Sequence, residues 1–313
     1  MKEIGGYFEL EKYRLPMMHE GALALNCGRN CLAYLIRLKQ IKKIALPYFL
    51  CDSVKDIPEL DGKARYYHID WEFLPINIEL MEDEWIYLVN YYGQLTEDKI
   101  QEFQKKNRRI ILDQAQAYFA PHIDGVNTIY TCRKFFGVPD GAFLYTDEEL
   151  TEDIPFDESY MRMQYVMGRF ERKASDFYNE YCINEEKFKE VPIRRMSKLT
   201  DNLLHGIDYS WVKRKRTENY SYLYEKLSDI NRLNLRKVEG AYAYPLLMDE
   251  GDKIRKRLIE NKIYIPVLWP NVLEDVKENT IEYQLAKYIL PIPCDQRYGT
   301  DDMERIYQIL KEV

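Results

Sequence analysis

The sequence predicts an α/β fold, an open and mostly parallel central sheet flanked by helices, and three features lead to that reading. First, KKIALPY (42–48), WIYLVNYYGQ (85–94) and RRIILDQAQAY (108–118) carry short apolar runs that are continuous rather than alternating. Continuous runs suit central parallel strands covered on both faces. Second, TEDKIQEFQKK (96–106), with Ile100 and Phe103 on one face, lies between two of these runs as a helical crossover does. Third, VNTIYT (126–131) and AFLYT (142–146) read as strands around a turn punctuated by Gly137, Pro139, Asp140 and Gly141.

Along the chain, NCGRNCLAYLIRL (26–38) reads as a helix whose Leu32, Leu35, Ile36 and Leu38 mark a buried face. Gly28, Arg29 and Asn30 open it. Free N–H groups and the positive end of the helix dipole suit an anion there, although Gly or Asn at a helix start is also ordinary capping. The strand over 42–48 stops at Pro47 and Tyr48, the one over 85–94 at Asn90 with Gly93 and Gln94 beyond, and the one over 108–118 at Asp113. Ligands of such sheets bind outside the carboxyl ends of the strands, so Asn90, Asp113 and Lys134 are expected to gather. Lys134 sits on the turn after 126–131. A partly desolvated lysine at a strand end presents its amine to a carbonyl compound for Schiff-base chemistry, whereas the plainer reading is a solvated hairpin lysine beside Arg133. Asp113 either caps the helix it begins or pairs, as a carboxylate, with a protonated pyridine nitrogen. Gln116, one helical turn on, then reaches a ring hydroxyl.

Beyond residue 150 the stretch RFERKASDFYNEY (169–181) reads as helical. GAYAYPLLM (240–248) and IYIPVLW (263–269) read as strands, with helices over 252–260 and 301–313, and this alternation predicts a smaller α+β unit. The expected division is a large domain over 15–220 and a small one made of 1–14 and 221–313.

Composition narrows the function classes. A chain of 313 residues, 46% of them hydrophobic, buries a large core. A net charge of −7 and a pI near 5.4 argue against general nucleic-acid binding. Basic clusters at Arg194 and Arg195 and at 213–216 read as solvated helix faces, or as attraction for an anionic nucleotide substrate. The six cysteines are scattered and the first residues carry no apolar signal core, which together suggest reduced thiols and a cytoplasmic protein. Cys27 and Cys31 read as core packing, and no metal site is expected. The sequence offers no apolar run long enough to span a membrane.

In order and spacing these residues resemble the DegT/DnrJ/EryC1/StrS sugar aminotransferase family of fold type I pyridoxal phosphate enzymes, with this chain a short, divergent member. The closing segment LPIPCDQRYGTDDMERIYQIL (290–310) and the early GGYFELE fit the same resemblance. It implies that pyridoxal 5′-phosphate is held covalently by Lys134, with Gly137 and the PDGA of 139–142 forming the return. Asp113 would meet the pyridine nitrogen and Gln116 the ring hydroxyl, while Gly28, Arg29 and Asn30 would receive the phosphate. An aromatic at Tyr48 or Phe49 would stack on the ring. Family members typically carry a phosphate-binding serine five residues before the lysine, and here that position is Ile129. Thr131 would substitute, or Arg133 would supply charge. The resemblance further implies a homodimer with shared sites, an amino donor, and a keto sugar or nucleotide sugar as acceptor, as in polysaccharide biosynthesis. Sugar dehydration with the same cofactor, and a relic that binds without catalysis, are the alternatives.

Overall fold

The computed structural model describes residues 4–312. Its central sheet contains β1 (Leu23–Leu25), β2 (Ile44–Pro47), β3 (Ala64–Tyr67), β4 (Trp85–Val89), β5 (Ile110–Asp113), β6 (Asn127–Thr131) and β7 (Ala142–Tyr145), in the order β1-β7-β6-β5-β4-β2-β3. From β3 to β6 the pairing is parallel; β7 and β1 close the far edge antiparallel. The continuous apolar runs explain the middle of this sheet, because β2 is buried at every residue and β5 likewise. Helices α1 (Gly28–Leu38), α2 (Asp52–Lys55) and α3 (Glu97–Lys106) supply the connections. Thr96 caps α3 by accepting from the Lys99 N–H, and Ile100 is the residue it buries.

Register places the chemistry. Val89 pairs with Asp113 and Asp113 with Ile129, so the ends of β4, β5 and β6 lie side by side. The chain then leaves β6 into the lysine turn and returns as β7. Gly141 makes that return possible, with φ +111°, where an added Cβ would stand 3.0 Å from Thr200 and 3.2 Å from Cys132 and Met196. Phe135 and Phe136 root the turn in a second aromatic core with Tyr118, Phe119 and Phe143.

After the sheet come α4 (Gln164–Glu171), α5 (Tyr178–Glu190), α6 (Lys198–Leu204) and α7 (Tyr209–Leu227). The helix expected over 169–181 is interrupted, because Arg172 is extended and separates α4 from a short 3₁₀ turn and α5. The C-terminal part holds β8 (Ala243–Leu247), α8 (Gly251–Glu260), α9 (Val272–Asp275), α10 (Ile281–Tyr288), β9 (Ile289–Pro293) and α11 (Thr300–Lys311). Residues 263–269, expected as a strand, are irregular although Ile263, Ile265 and Trp269 are buried. Pro266 removes a ladder donor inside that run, and β8 pairs with β9 instead. Pro245 faces Pro291 in this two-stranded ribbon, where each strand keeps an edge that needs no donor. Residues 11–15 are tied to the end of α6. Asn202 holds the Glu11 carbonyl and the Tyr13 N–H, and His205 holds both backbone groups of Leu15.

His19 is buried, stacked 4.0 Å from Tyr130 and edge-on to Tyr118. Its Nε2–H donates to the Tyr118 carbonyl at 3.0 Å, and Nδ1 accepts from the Tyr145 hydroxyl at 3.1 Å. Burial, with a smaller push from His122, lowers its pKa from 6.5 to about 4. The unfolded chain therefore takes up a proton that the fold refuses. Stability from this residue is complete above pH 6.5 and is lost as pH falls toward 4, by about 3 kcal/mol at most. Urea unfolding of His19→Gln should show a shallower loss of stability between pH 6.5 and 4.5 than the parent. Parallel pH profiles would contradict this role.

Candidate active site

Helix α1 begins where β6 ends. A Cβ on Gly28 would lie 2.7 Å from Thr131 Cγ2 and 3.8 Å from Ile129 Cγ2, so only glycine lets the helix start seat against the strand. The first-turn N–H groups of Gly28, Arg29 and Asn30 have no carbonyl within the helix to accept them, and Cys27 offers no side-chain cap. The Asn30 side chain faces the protein, which leaves its backbone N–H as the group at the helix start. Its amide donates to Asn26 Oδ1 at 2.9 Å and to the Val191 and Pro192 carbonyls, fixing the segment that covers α1. Thr131 Oγ1 lies 3.4 Å from the Ala115 carbonyl and remains half-buried.

Asp113 is buried at the end of β5. Oδ1 accepts from the Ala115 N–H at 2.7 Å, and Oδ2 accepts from the Tyr87 hydroxyl at 2.9 Å. Burial pushes this carboxyl above its ordinary pKa, while the nearby Lys134 charge and the two hydrogen bonds pull the other way. No helix begins at Asp113, because residues 114–120 form turns, so its Oδ1 tethers the next turn instead of capping a helix, and the carboxylate lies within reach of the Lys134 charge. Gln116 follows with its Oε1 accepting from the Tyr92 N–H at 2.8 Å, which fixes the amide's orientation. Its buried Nε2 has no protein partner. A buried donor left open is costly unless a ligand completes it.

Lys134 is exposed in the single chain, not partly desolvated as its position suggested, with Nζ 5.8 Å above the Tyr242 ring. The turn around it is tightly held. The Phe135 carbonyl accepts from Arg216 Nη2 at 3.2 Å and Gln296 Nε2 at 2.8 Å; Val138 and Pro139 present theirs to Tyr165 and Asn184. Asp140 is fully buried and accepts from the Ser197 N–H and hydroxyl, each at 2.8 Å, and from the Thr200 hydroxyl. Arg133 does not stand free to supply charge. It pairs with Glu185 and lies over Phe188 at 4.4 Å.

Phe49 departs from its expected role. Its ring is fully buried, edge-on to Trp269 at 4.5 Å and tilted against Tyr91 at 5.3 Å, so it serves the core between sheet and C-terminal part. Tyr48 faces Tyr66 and His68. Asn90 is engaged by Gln114 and the Leu95 N–H. Three neighbours of the site escaped the sequence reading: Tyr87, whose apolar strand gives a hydroxyl no distinguishing signal; Tyr242; and Arg216, from a run read as solvated. Arg216 is buried, donating also to the Ala241 carbonyl and Gln296. The six cysteines are unpaired. Among the described residues no group of three His, Cys, Asp or Glu side chains is placed to hold a metal ion, and no helix is long and apolar enough to cross a membrane.

No family model and no curated protein matches the sequence. Solved structures do match in shape. The sugar aminotransferase CalS13 from Micromonospora echinospora superposes with a TM-score of 0.65 at 15% identity, over 93% of this chain and 87% of that one. A DegT DnrJ EryC1 StrS aminotransferase from Brucella abortus gives 0.62 at 14%, over 93% and 86%. The PLP-form of a sugar aminotransferase from Streptococcus pneumoniae gives 0.61 at 12%, over 93% and 86%. The chain therefore has the fold of the sugar aminotransferases, the fold type I architecture that the motifs implied.

The Gly28 contact can be measured. Gly28→Ala should cost about 1–3 kcal/mol in urea unfolding, because the added methyl meets Thr131 Cγ2 inside van der Waals distance. Adding Thr131→Ser, which removes that Cγ2, should recover most of the loss. A double variant no more stable than Gly28→Ala would place the strain elsewhere.

Proposed function

We propose that this chain is a pyridoxal 5′-phosphate dependent aminotransferase that transfers an amino group from a donor to a keto sugar or nucleotide sugar. The observation that supports the reading is the buried Asp113 that feels the charge of Lys134, followed in the chain by a Gln116 amide whose buried donor lacks a protein partner. This donor set fits the cofactor, and the likeness to sugar aminotransferases supports it. When bound, pyridoxal phosphate supplies an electron sink for a substrate carbanion.

The residues divide the work. Asp113 keeps a proton on the ring nitrogen, and Gln116 Nε2 donates to the ring hydroxyl. The N–H groups of Gly28, Arg29 and Asn30, at the positive end of α1, receive the phosphate with the Thr131 hydroxyl beside them. Lys134 Nζ would hold the cofactor at rest and, once freed by the donor, would carry the proton between the donor's Cα and the cofactor's C4′, with the reverse transfer serving the acceptor. In this reading residues 15–220 form the cofactor-binding domain, with 1–14 and 221–313 the smaller one. The protein acts as a cytoplasmic homodimer in polysaccharide biosynthesis, with a site shared between subunits. The exposure of Lys134 in one chain, and of Met161, Met167 and Phe170 on and just before α4, whose Val166 packs against the lysine turn at Gly137, supports the shared site. The relic reading draws on buried Ile129 alone, and the following tests separate it.

Adding pyridoxal phosphate should produce a visible absorbance band that shifts with an amino donor. Borohydride should then leave the cofactor on the Lys134 peptide. Lys134→Ala should lose the label and turnover with stability changed by no more than about 0.5 kcal/mol, as for an exposed side chain. Label on another lysine, or activity in this variant, would overturn the assignment.

Asp113→Asn keeps size and the acceptor for the Ala115 N–H but removes the negative charge. Cofactor should still bind, with half-reaction rates falling by at least about tenfold in stopped-flow absorbance. Unchanged rates would leave Asp113 as only a tether for the turn at Ala115.

A further inference from the structure

Tyr87 lies in the middle of β4 and is only 2% exposed. Its hydroxyl donates to Asp113 Oδ2 at 2.9 Å. Phenylalanine would fill the same space in this apolar strand, so the hydroxyl needs its own reason. A merely structural link between β4 and β5 is a weak one, because backbone pairing already joins them from Ile86↔Ile110 to Val89↔Asp113. What the hydroxyl changes is the carboxylate. Asp113 is removed from water, where the neutral acid is favoured, and a neutral acid cannot serve as counter-charge to a protonated ring nitrogen. A phenol O–H aimed at one oxygen, with the Ala115 N–H at 2.7 Å on the other, stabilises the anion and fixes its plane.

We infer that Tyr87 is a positioning residue whose hydroxyl keeps the Asp113 carboxylate ionised and oriented, and so sets how firmly the cofactor's ring nitrogen stays protonated. This rests on the pyridoxal phosphate reading above and adds to it a residue from a different strand. Tyr87 itself stays a donor at every working pH, since burial and the adjacent Asp113 charge hold its own ionisation far above the ordinary tyrosine range.

The test uses the full-length protein loaded with pyridoxal phosphate carrying ¹⁵N in the ring, whose chemical shift separates protonated from neutral nitrogen. The parent should stay protonated across neutral pH. In Tyr87→Phe the midpoint for loss of that proton should fall by roughly one pH unit or more. In an Asp113→Asn background, Tyr87→Phe should change neither the shift nor the cofactor dissociation constant further, because its effect runs through the carboxylate. Tyr87→Met, which removes the hydroxyl with a flexible side chain, should repeat the result and serves if the phenylalanine variant does not fold. An unchanged midpoint in both hydroxyl-free variants, or an additive effect in the Asp113→Asn background, would overturn the inference. If borohydride labels Lys134 but these midpoints do not move, this inference falls alone. If the parent binds no cofactor, it falls together with the reading it rests on.

Discussion

The turn that carries the exposed Lys134 has too few backbone partners of its own, and much of the chain beyond the sheet is arranged to supply them. Between Phe135 and Asp140 the carbonyls of Phe135, Val138 and Pro139 and the Asp140 carboxylate are met by side chains from remote elements: Arg216 of α7, Gln296 after β9, Tyr165 of α4, Asn184 of α5, and Ser197 and Thr200 at the start of α6. Unpaired, these groups would each cost on the order of 1–3 kcal/mol, and the turn would fluctuate. Satisfied, they hold the Lys134 backbone rigidly while its ammonium stays exposed. The helices after the sheet are therefore part of the site although none carries a residue that the motifs singled out.

The same network concentrates charge where water is scarce. Arg216 is buried with carbonyls and an amide as its partners, and desolvation lowers its pKa. Asp113 is buried with two donors, and desolvation raises its own. Such groups rarely add net stability compared with apolar residues of the same volume. Their persistence is better explained by orientation: Arg216 pins the carbonyl next to Lys134 to the chain at 241–242, and Tyr242 lies beneath the Lys134 ammonium.

The central sheet was legible because its signal is local. Continuous apolar runs report strands covered on both faces, and the order of polar residues at their ends placed Asp113 near the lysine turn. What failed depended on partners far along the chain. Arg133 is neutralised by Glu185, and the Phe49 ring is covered by Trp269. Nothing within a window of ten residues reports those meetings. Arg216 shows the same limit from the other side, since its neighbours Lys213, Arg214 and Lys215 do form exposed pairs with Glu239 and Glu218. Helical geometry turns only the fourth of these basic residues inward. Over 263–269 the apolar content was read correctly as burial, but Pro266 prevents the ladder that would make it a strand.

Ile129 is the most informative departure, because geometry shows how the position can be vacated without losing the site. Side chains two apart on a strand share a face, and both Ile129 and Thr131 point at Gly28, at 3.8 and 2.7 Å from where its Cβ would be. Moving the hydroxyl from 129 to 131 keeps it on the face of β6 that meets α1, one repeat nearer the strand end. Ile129 then fills the interior beside Asp113, and the free first-turn N–H groups of α1 stay in place whichever side chain stands at 129. In the proposed reading the phosphate site is thus carried by α1 and the close approach that Gly28 permits, and the serine of the family pattern becomes dispensable.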